Sequence, residues 1–146
     1  MSRRQLSVFK VGCYIAFLTA ALHMTGHFLM APSNDAERAL FDHMQTLALG
    51  LPGAPSHTMM DLYKGFSLVY AVMLALTGGL GLIVARRGIQ DPTLMLAVAR
   101  ALAGGYLVMT VIGFTNFFII PTALMAAVAL CFALASVRGP AGPEHR

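Results

Sequence analysis

Hydrophobic residues are grouped along this chain in four long runs, which short polar segments separate. A helix that crosses the ~30 Å hydrocarbon core of a bilayer needs about 20 apolar residues, because each residue advances the helix by about 1.5 Å. All four runs are long enough, and they predict membrane spans over about residues 11–30, 62–85, 94–114 and 118–137. The pattern therefore predicts an all-α fold: an integral membrane four-helix bundle that forms one transmembrane domain over residues 1–146.

The segments between the runs contain residues that begin and end helices. Before the third span, Pro92 disfavours helix upstream of itself and Thr93 is expected to cap the new helix. Pro121 falls in the first turn of the fourth span, where proline is tolerated. The turn around residues 113–116 is so short that the third and fourth spans should be antiparallel neighbours. Residues 139–146 predict a short disordered tail.

The long connection between the first two spans, residues 31–61, has a different pattern. Its beginning, residues 33–37, resembles a helix N-terminus with acidic residues in the first turn. A short amphipathic helix that lies at the membrane interface, over about residues 35–49, is the structure that this pattern predicts. Its apolar side chains recur at helical spacing, opposite polar ones: Leu40, Phe41, Met44, Leu47 and Leu51 against Arg38, Asp42 and Gln45.

Composition agrees with a membrane protein and excludes other classes. Hydrophobic residues make up 58% of the chain, charged residues 11%, and the mean hydropathy is +0.73. Soluble domains are about 25% charged, so these residues cannot cover a water-exposed globular surface. The net charge of +4 comes from basic residues at the ends of the apolar runs, not from a basic face. The lipid bilayer is therefore the expected partner, and nucleic acid is not.

The positive charges also predict the orientation of the spans. Loops on the cytoplasmic side of a membrane carry the excess of lysine and arginine. One side of this bundle would collect Arg3, Arg4, Lys10, Arg86, Arg87, Arg138 and Arg146, and the other only Arg38 and Lys64. The side with more positive charges should therefore be cytoplasmic and should hold both termini, as an even number of spans requires.

Small residues recur at every fourth position in the second and third spans. Such rows let helix backbones approach closely within a membrane. We therefore expect both rows to lie at helix–helix contacts. The rows are Ala71, Ala75 and Gly79, and Ala97, Ala101 and Gly105.

A few polar side chains near the outer ends of the first two spans are candidates for a functional site. His23 and His27 are four residues apart, and so are His57 and Asp61, which puts each pair on one helix face. Tyr63 follows two residues after Asp61. Polar groups inside a membrane are costly and suggest a function. These five residues are the predicted ligand or proton site, between the first two spans.

Several chemistries fit these residues. His23, His27 and Asp61 have ligand types that suit a transition metal, although Met24 stands where a zinc protease would have its glutamate. Alternatively, the histidines bind a proton, a quinone or another ligand, or only tie helices together through hydrogen bonds. No cofactor is predicted, and a transition metal stays open. A haem held by two histidines is disfavoured, because both lie on one helix and the other spans contain no histidine.

Three stretches of the chain resemble a family of small bacterial four-helix integral membrane proteins of unknown function. They are LHMTG at residues 22–26, MDLYKGFS at residues 60–67 and FFIIPTAL at residues 117–124. The resemblance implies a bacterial cytoplasmic (inner) membrane, and it implies no chemistry. It draws attention to His23, Asp61 and Tyr63, and to four positions of a structural motif: Gly26, Gly65, Phe66 and Pro121.

The leading functional prediction is a non-catalytic or accessory membrane bundle, in a homo-oligomer or a larger membrane complex. The first alternative is a small-ligand, metal or redox/proton site at the outer face between the first two spans. The second is a membrane enzyme that acts on a lipid or quinone, with His23 and Asp61 in contact as a proton-transfer pair. The sequence favours a protein that is not an enzyme, because it has no serine–histidine, cysteine–histidine or glycine-rich phosphate motif. It identifies no catalytic residue.

Overall fold

The computed structural model describes residues 2–50, 57–87 and 91–137. Within them the fold is all-α, as predicted, with a single isolated β-bridge between Ala48 and Thr58. Four of the helices, α1, α3, α4 and α5, are long and apolar enough to cross a membrane. The predicted tail, residues 139–146, lies outside the described residues. The five helices are α1 (Arg3–Leu29), α2 (Asp35–Thr46), α3 (Met59–Arg87), α4 (Pro92–Asn116) and α5 (Ile119–Ser136).

Helix α1 begins well before the apolar run that predicted it. Its first turn is closed by a capping box: the Gln5 backbone N–H donates to Ser2 Oγ at 3.2 Å, and the Ser2 N–H donates to Gln5 Oε1 at 2.8 Å. These bonds satisfy backbone groups that a helix start leaves unpaired. The basic residues Arg3, Arg4 and Lys10 therefore lie on the helix itself.

Helix α4 is capped by Asp91, so the prediction that Thr93 is the N-cap was wrong. The Leu94 backbone N–H donates to Asp91 Oδ1 at 2.9 Å. Pro92 is then the first helical residue, a position where its missing N–H costs nothing. An aspartate immediately before such a proline is the better cap, because its carboxylate accepts bonds from the free N–H groups of the first turn.

Helix α1 packs against both α3 and α5, and α4 packs against α5 with only a slight contact to α3. Only Phe117 and Phe118 separate the end of α4 from the start of α5, and the two helices are antiparallel neighbours as predicted. Aromatic rings fill the core: Phe132 lies 5.1 Å from Phe9 and 5.8 Å from Tyr106, between ring centroids. The bundle is therefore held together mainly through α1 and α5.

Glycines of α3 make the closest helix–helix approach, but they are not those of the predicted rows. A Cβ at Gly78 would lie 2.8 Å from the Phe17 ring, and one at Gly81 would lie 2.5 Å from Cys13 Sγ. By contrast, a Cβ at Gly105 would meet nothing within 4 Å. The row predicted on α4 was wrong as a contact within this chain: Ala97, Ala101 and Gly105 are all exposed.

The connection from α1 to α3 contains helix α2 and the β-bridge. Asn34 caps α2, because its Oδ1 accepts the Glu37 backbone N–H at 2.8 Å. Two backbone bonds join the chain after α2 to the chain before α3: Leu49 N–H to His57 O at 2.8 Å, and Met59 N–H to Leu47 O at 3.0 Å. The helix is therefore confirmed, although it ends before residue 49. Its position at a membrane interface stays a prediction.

Candidate ligand-binding site

A cavity of about 660 Å³ lies at the end of the bundle where α1 ends and α3 begins. Its walls come from α1, α3, α5 and the short turn before α5. Most of its lining side chains are apolar, and among the described ones none is an aspartate, glutamate, lysine or arginine. We call this space the α1–α3–α5 cavity.

Two matching rows of polar and sulfur-containing side chains face each other across one wall of this cavity. On α1, His23, His27 and Met30 are spaced by four and three residues, which puts them on one helix face. On α3, Tyr63, Ser67 and Tyr70 have the same spacing and also line the cavity. His23 contacts Ser67 while Met30 contacts Tyr63, so the two helices run antiparallel here and their rows are in register.

His23 is held firmly by α3. Its Nε2 lies 2.9 Å from Ser67 Oγ and 3.2 Å from the Ser67 carbonyl oxygen. A carbonyl only accepts, so the second bond requires the imidazole proton on Nε2 and leaves Nδ1 as an acceptor. The ring also packs edge-on against Tyr70, with centroids 4.9 Å apart. The position and tautomer of His23 are therefore set by α3.

Two tyrosine hydroxyls in the cavity have only weak partners. The Tyr63 hydroxyl donates to Met30 Sδ at 3.4 Å, and the Tyr70 hydroxyl donates to Met125 Sδ at 3.7 Å. A thioether sulfur is a weak acceptor. Both phenols can therefore exchange these bonds for a bond to a better acceptor placed in the cavity.

His27 is the least satisfied polar side chain that lines the cavity. Within residues 2–50, 57–87 and 91–137, its Nδ1 atom is buried and has no hydrogen-bond partner. The ring packs edge-on against Phe28, with centroids 5.3 Å apart. Leaving a buried polar group unpaired costs about 1–3 kcal/mol. Because this atom has almost no accessible surface, another molecule can pair with it only if the imidazole turns toward the cavity.

Asp61 belongs to the start of α3 and not to the cavity. Its carboxylate accepts the backbone N–H and the hydroxyl of Thr58, both at 2.9 Å, and the Asp61 N–H donates to Thr58 Oγ1 at 3.2 Å. This reciprocal arrangement is a helix-capping device. Asp61 is exposed, and so is His57, which comes just before Thr58. Of the five predicted site residues, His23, His27 and Tyr63 line the cavity; His57 and Asp61 do not.

The structure does not bring His23 and Asp61 together. His23 is bonded to Ser67, which lies six residues after Asp61 and hence about 9 Å further along α3. The predicted metal ligands His23, His27 and Asp61 are separated for the same reason. In the described part of the chain, no three side chains of histidine, cysteine, aspartate or glutamate are grouped as a metal site would need.

Three residues of the site were missed from the sequence: Ser67, Tyr70 and Met125. The regular spacing of Tyr63, Ser67 and Tyr70 is a signal that could have found the first two, because it matches the spacing of the histidine face. Met125 has no such signal. It reaches the cavity only because α5 packs against α1.

The four motif positions have distinct environments. Gly26 and Pro121 line the cavity, and Phe66 is on its edge with 66% of its surface exposed. A Cβ at Gly26 or at Gly65 would meet nothing within 4 Å. Neither glycine is therefore required for close helix packing, and the absence of a side chain at Gly26 keeps part of the cavity empty.

The cavity opens to the surface past an apolar rim. The rim consists of four exposed apolar side chains that also line the cavity; Tyr63, which is 44% exposed, lines the cavity as well and offers a hydroxyl. A molecule that enters this way must cross an apolar surface before it reaches the histidines. The rim residues are Phe66, Phe117, Phe118 and Ile120, which are 66%, 52%, 72% and 63% exposed.

No protein-family model, curated protein or solved structure matches this chain. The resemblance to small bacterial four-helix membrane proteins therefore stays a prediction. The functional interpretation depends on the geometry of the cavity.

Proposed function

We propose that this chain is a membrane-embedded binding protein, which holds a small amphipathic molecule in the α1–α3–α5 cavity. The observation that carries this proposal is a large cavity with an apolar rim, whose wall contains His27, an imidazole with a buried Nδ1 atom that has no hydrogen-bond partner in the described residues. A ligand with one polar group would satisfy His27, and its apolar part would cover the rim. Pockets of about 300–1,000 Å³ with few polar groups are typical of small-molecule sites.

The ligand should come from the lipid phase. Four helices are long and apolar enough to cross a bilayer, and the rim residues Phe66 and Phe118 would then face acyl chains. The described lining residues include no aspartate, glutamate, lysine or arginine, which favours a neutral molecule. Burying an unpaired charge at such a site would cost about 2–3 kcal/mol even on insertion scales.

We further propose that the chain lies in the bacterial inner membrane with both termini in the cytoplasm. The excess of arginine and lysine on one side supports this orientation. The cavity then lies in the outer half of the membrane, and α2 lies at the outer interface. The apolar spacing along α2 supports that position, since no residue of α2 is buried within the chain.

We propose binding without catalysis. The carboxylate expected to work with His23, that of Asp61, is engaged by Thr58 at the start of α3. A binding protein of this kind fits the accessory role predicted from the sequence, including a place in a homo-oligomer or a larger membrane complex.

Photolabelling tests the proposal. The protein is placed in lipid nanodiscs and exposed to a long-chain alcohol that carries a diazirine, and labelled peptides are mapped by mass spectrometry. We expect labels on the rim residues Phe66, Phe118 and Ile120. Excess unlabelled alcohol should suppress the labelling, because a binding site saturates whereas partition into the bilayer does not.

A pair of glycine variants provides the control. Gly26→Phe should abolish the saturable labelling, since its side chain enters empty space in the cavity wall. Gly104→Phe also adds a ring in open space, but on α4 and away from the cavity, and should leave the labelling unchanged. Labelling that does not saturate, or that both variants leave unchanged, would refute the proposed function.

A further inference from the structure

The polar groups of the α1–α3–α5 cavity lie at two levels, and neither level contains an aspartate, glutamate, lysine or arginine among the described residues. The deeper level contains His23, Ser67 and Tyr70, and the level nearer the end of α1 contains His27 and Tyr63. His23 and His27 are four residues apart, which separates the levels by about 6 Å along the helix axis. This distance is comparable to the separation of two oxygens attached at para positions of a six-membered ring.

We infer that the ligand is a molecule of the quinone or quinol class, whose ring lies alongside the two levels with its oxygen–oxygen axis roughly parallel to α1. This inference rests on the proposed binding function and specifies its ligand. Each ring oxygen would meet one level of polar side chains, and an alkyl tail would leave past the apolar rim into the lipid.

The hydrogen-bonding capacity of the two levels fits both forms of such a ring. The phenol groups of Tyr63 and Tyr70 now donate only to methionine sulfur, so they are free to donate to quinone oxygens. The imidazole of His27 lines the cavity, and a neutral imidazole has one nitrogen that can accept from a quinol hydroxyl and one that can donate to a quinone oxygen. A pure hydrocarbon would leave all of these groups unsatisfied.

The other common lipid-phase molecules fit less well. A fatty acid or a phospholipid headgroup would bring a charge, and none of the described lining residues is a lysine or an arginine. The walls also contain aromatic side chains at both levels, including Tyr70 beside His23 and Phe66 at the rim. Aromatic side chains pack favourably against a flat ring.

The chain contains a natural reporter of quinone binding. It has four tyrosines and no tryptophan, so its intrinsic fluorescence comes from tyrosine alone. Tyr63 and Tyr70 line the cavity, whereas Tyr14 and Tyr106 do not. A quinone ring bound alongside the two levels would quench the fluorescence of Tyr63 and Tyr70.

The test is a fluorescence titration in nanodiscs with a 1,4-benzoquinone that carries methoxy, methyl and decyl substituents. We expect saturable quenching, and decylbenzene, which lacks the oxygens, should compete at least about tenfold more weakly, equivalent to about 1.4 kcal/mol. His27→Leu and Ser67→Ala should each weaken quinone binding several-fold and leave decylbenzene binding unchanged. His57→Leu, an exposed histidine outside the cavity, is the matched control and should have no effect.

The outcomes separate this inference from the proposed function. If decylbenzene competes as well as the quinone, or if His27→Leu has no effect in folded protein, the quinone inference is overturned while binding in the cavity stands. The inference is also overturned if quenching never saturates although the diazirine alcohol labels saturably. If neither probe saturates, both the inference and the proposed function fail.

Discussion

Replacing Gly78 by alanine tests the contact between α1 and α3 that positions the histidine face. The new Cβ would lie 2.8 Å from the Phe17 ring and 2.9 Å from the Cys13 carbonyl oxygen. The ring can rotate away, but the carbonyl belongs to the backbone of α1 and can move only if the helix moves. Gly78→Ala should therefore push α1 and α3 apart.

The magnitude follows from two opposing effects. Overpacking of this kind costs about 1–3 kcal/mol. Alanine is also the better helix former, by about 1 kcal/mol. Gly104→Ala is the control, because its Cβ meets nothing within 4 Å and only the helix-propensity gain remains. The free energy of unfolding of Gly78→Ala should therefore lie about 1–3 kcal/mol below that of Gly104→Ala.

The assay is unfolding in mixed micelles by titration with dodecyl sulfate, followed by far-ultraviolet circular dichroism. A second variant sharpens it: adding Phe17→Leu to Gly78→Ala should restore only part of the loss, since the overlap with the Cys13 carbonyl remains. Equal stability of Gly78→Ala and Gly104→Ala would show that the close approach at Gly78 does not exist.

Three further predictions follow from the capping and the charge pattern. Asp61→Asn and His23→Ala should lower the free energy of unfolding additively, because the two residues have separate partners; a double mutant no worse than either single one would refute this. At α2, hydrogen bonds from the Ser33 hydroxyl and N–H, both 2.7 Å to Glu37, lower the pKa of Glu37. The ionised carboxylate thus stabilises the start of α2 above the unfolded-state pKa, and this stability is lost as pH falls through the folded-state pKa. The protection of α2 amides against hydrogen exchange should decrease over the same pH range, and Glu37→Gln should remove this pH dependence. A reporter fused after Arg87 should report the cytoplasm and one placed after α2 the exterior, and the opposite result would mean that the orientation is reversed.

Much of the fold could be predicted locally. Each apolar run marks its helix because a span must satisfy its own backbone hydrogen bonds and expose apolar side chains, and both requirements appear in the residues of that run alone. The start of α2 was predictable for the same reason, since Asn34 and Glu37 are neighbours in sequence. The start of α4 was placed at Thr93 instead of Asp91, because several polar residues in a row compete as caps and local pattern does not rank them well.

Only the part of the candidate site that lies on a single helix could be predicted from the sequence. The spacing of His23 and His27 shows that they share a face, but not which residue lies opposite. Asp61 was the expected partner because it is polar and, like His23, lies near the outer end of its span; in the structure its carboxylate is bonded to Thr58. The register of α3 against α1 instead places Ser67 beside His23.

What the tertiary structure decided is the register and spacing of the helices. That register depends on which small residues let two backbones meet: a Cβ added at Gly78 or Gly81 would overlap α1, whereas one added at Gly105 on α4 would meet nothing within 4 Å. The predicted row on α3 does lie at the packed interior, since Ala71 is buried and Ala75 packs against the core, but the similar row predicted on α4 is exposed. The cavity likewise forms because α1 packs against both α3 and α5, and this packing also brings Met125, which the sequence did not reveal, to the cavity wall. A run of residues determines whether a helix forms, but the space between three helices depends on how all of them pack at once.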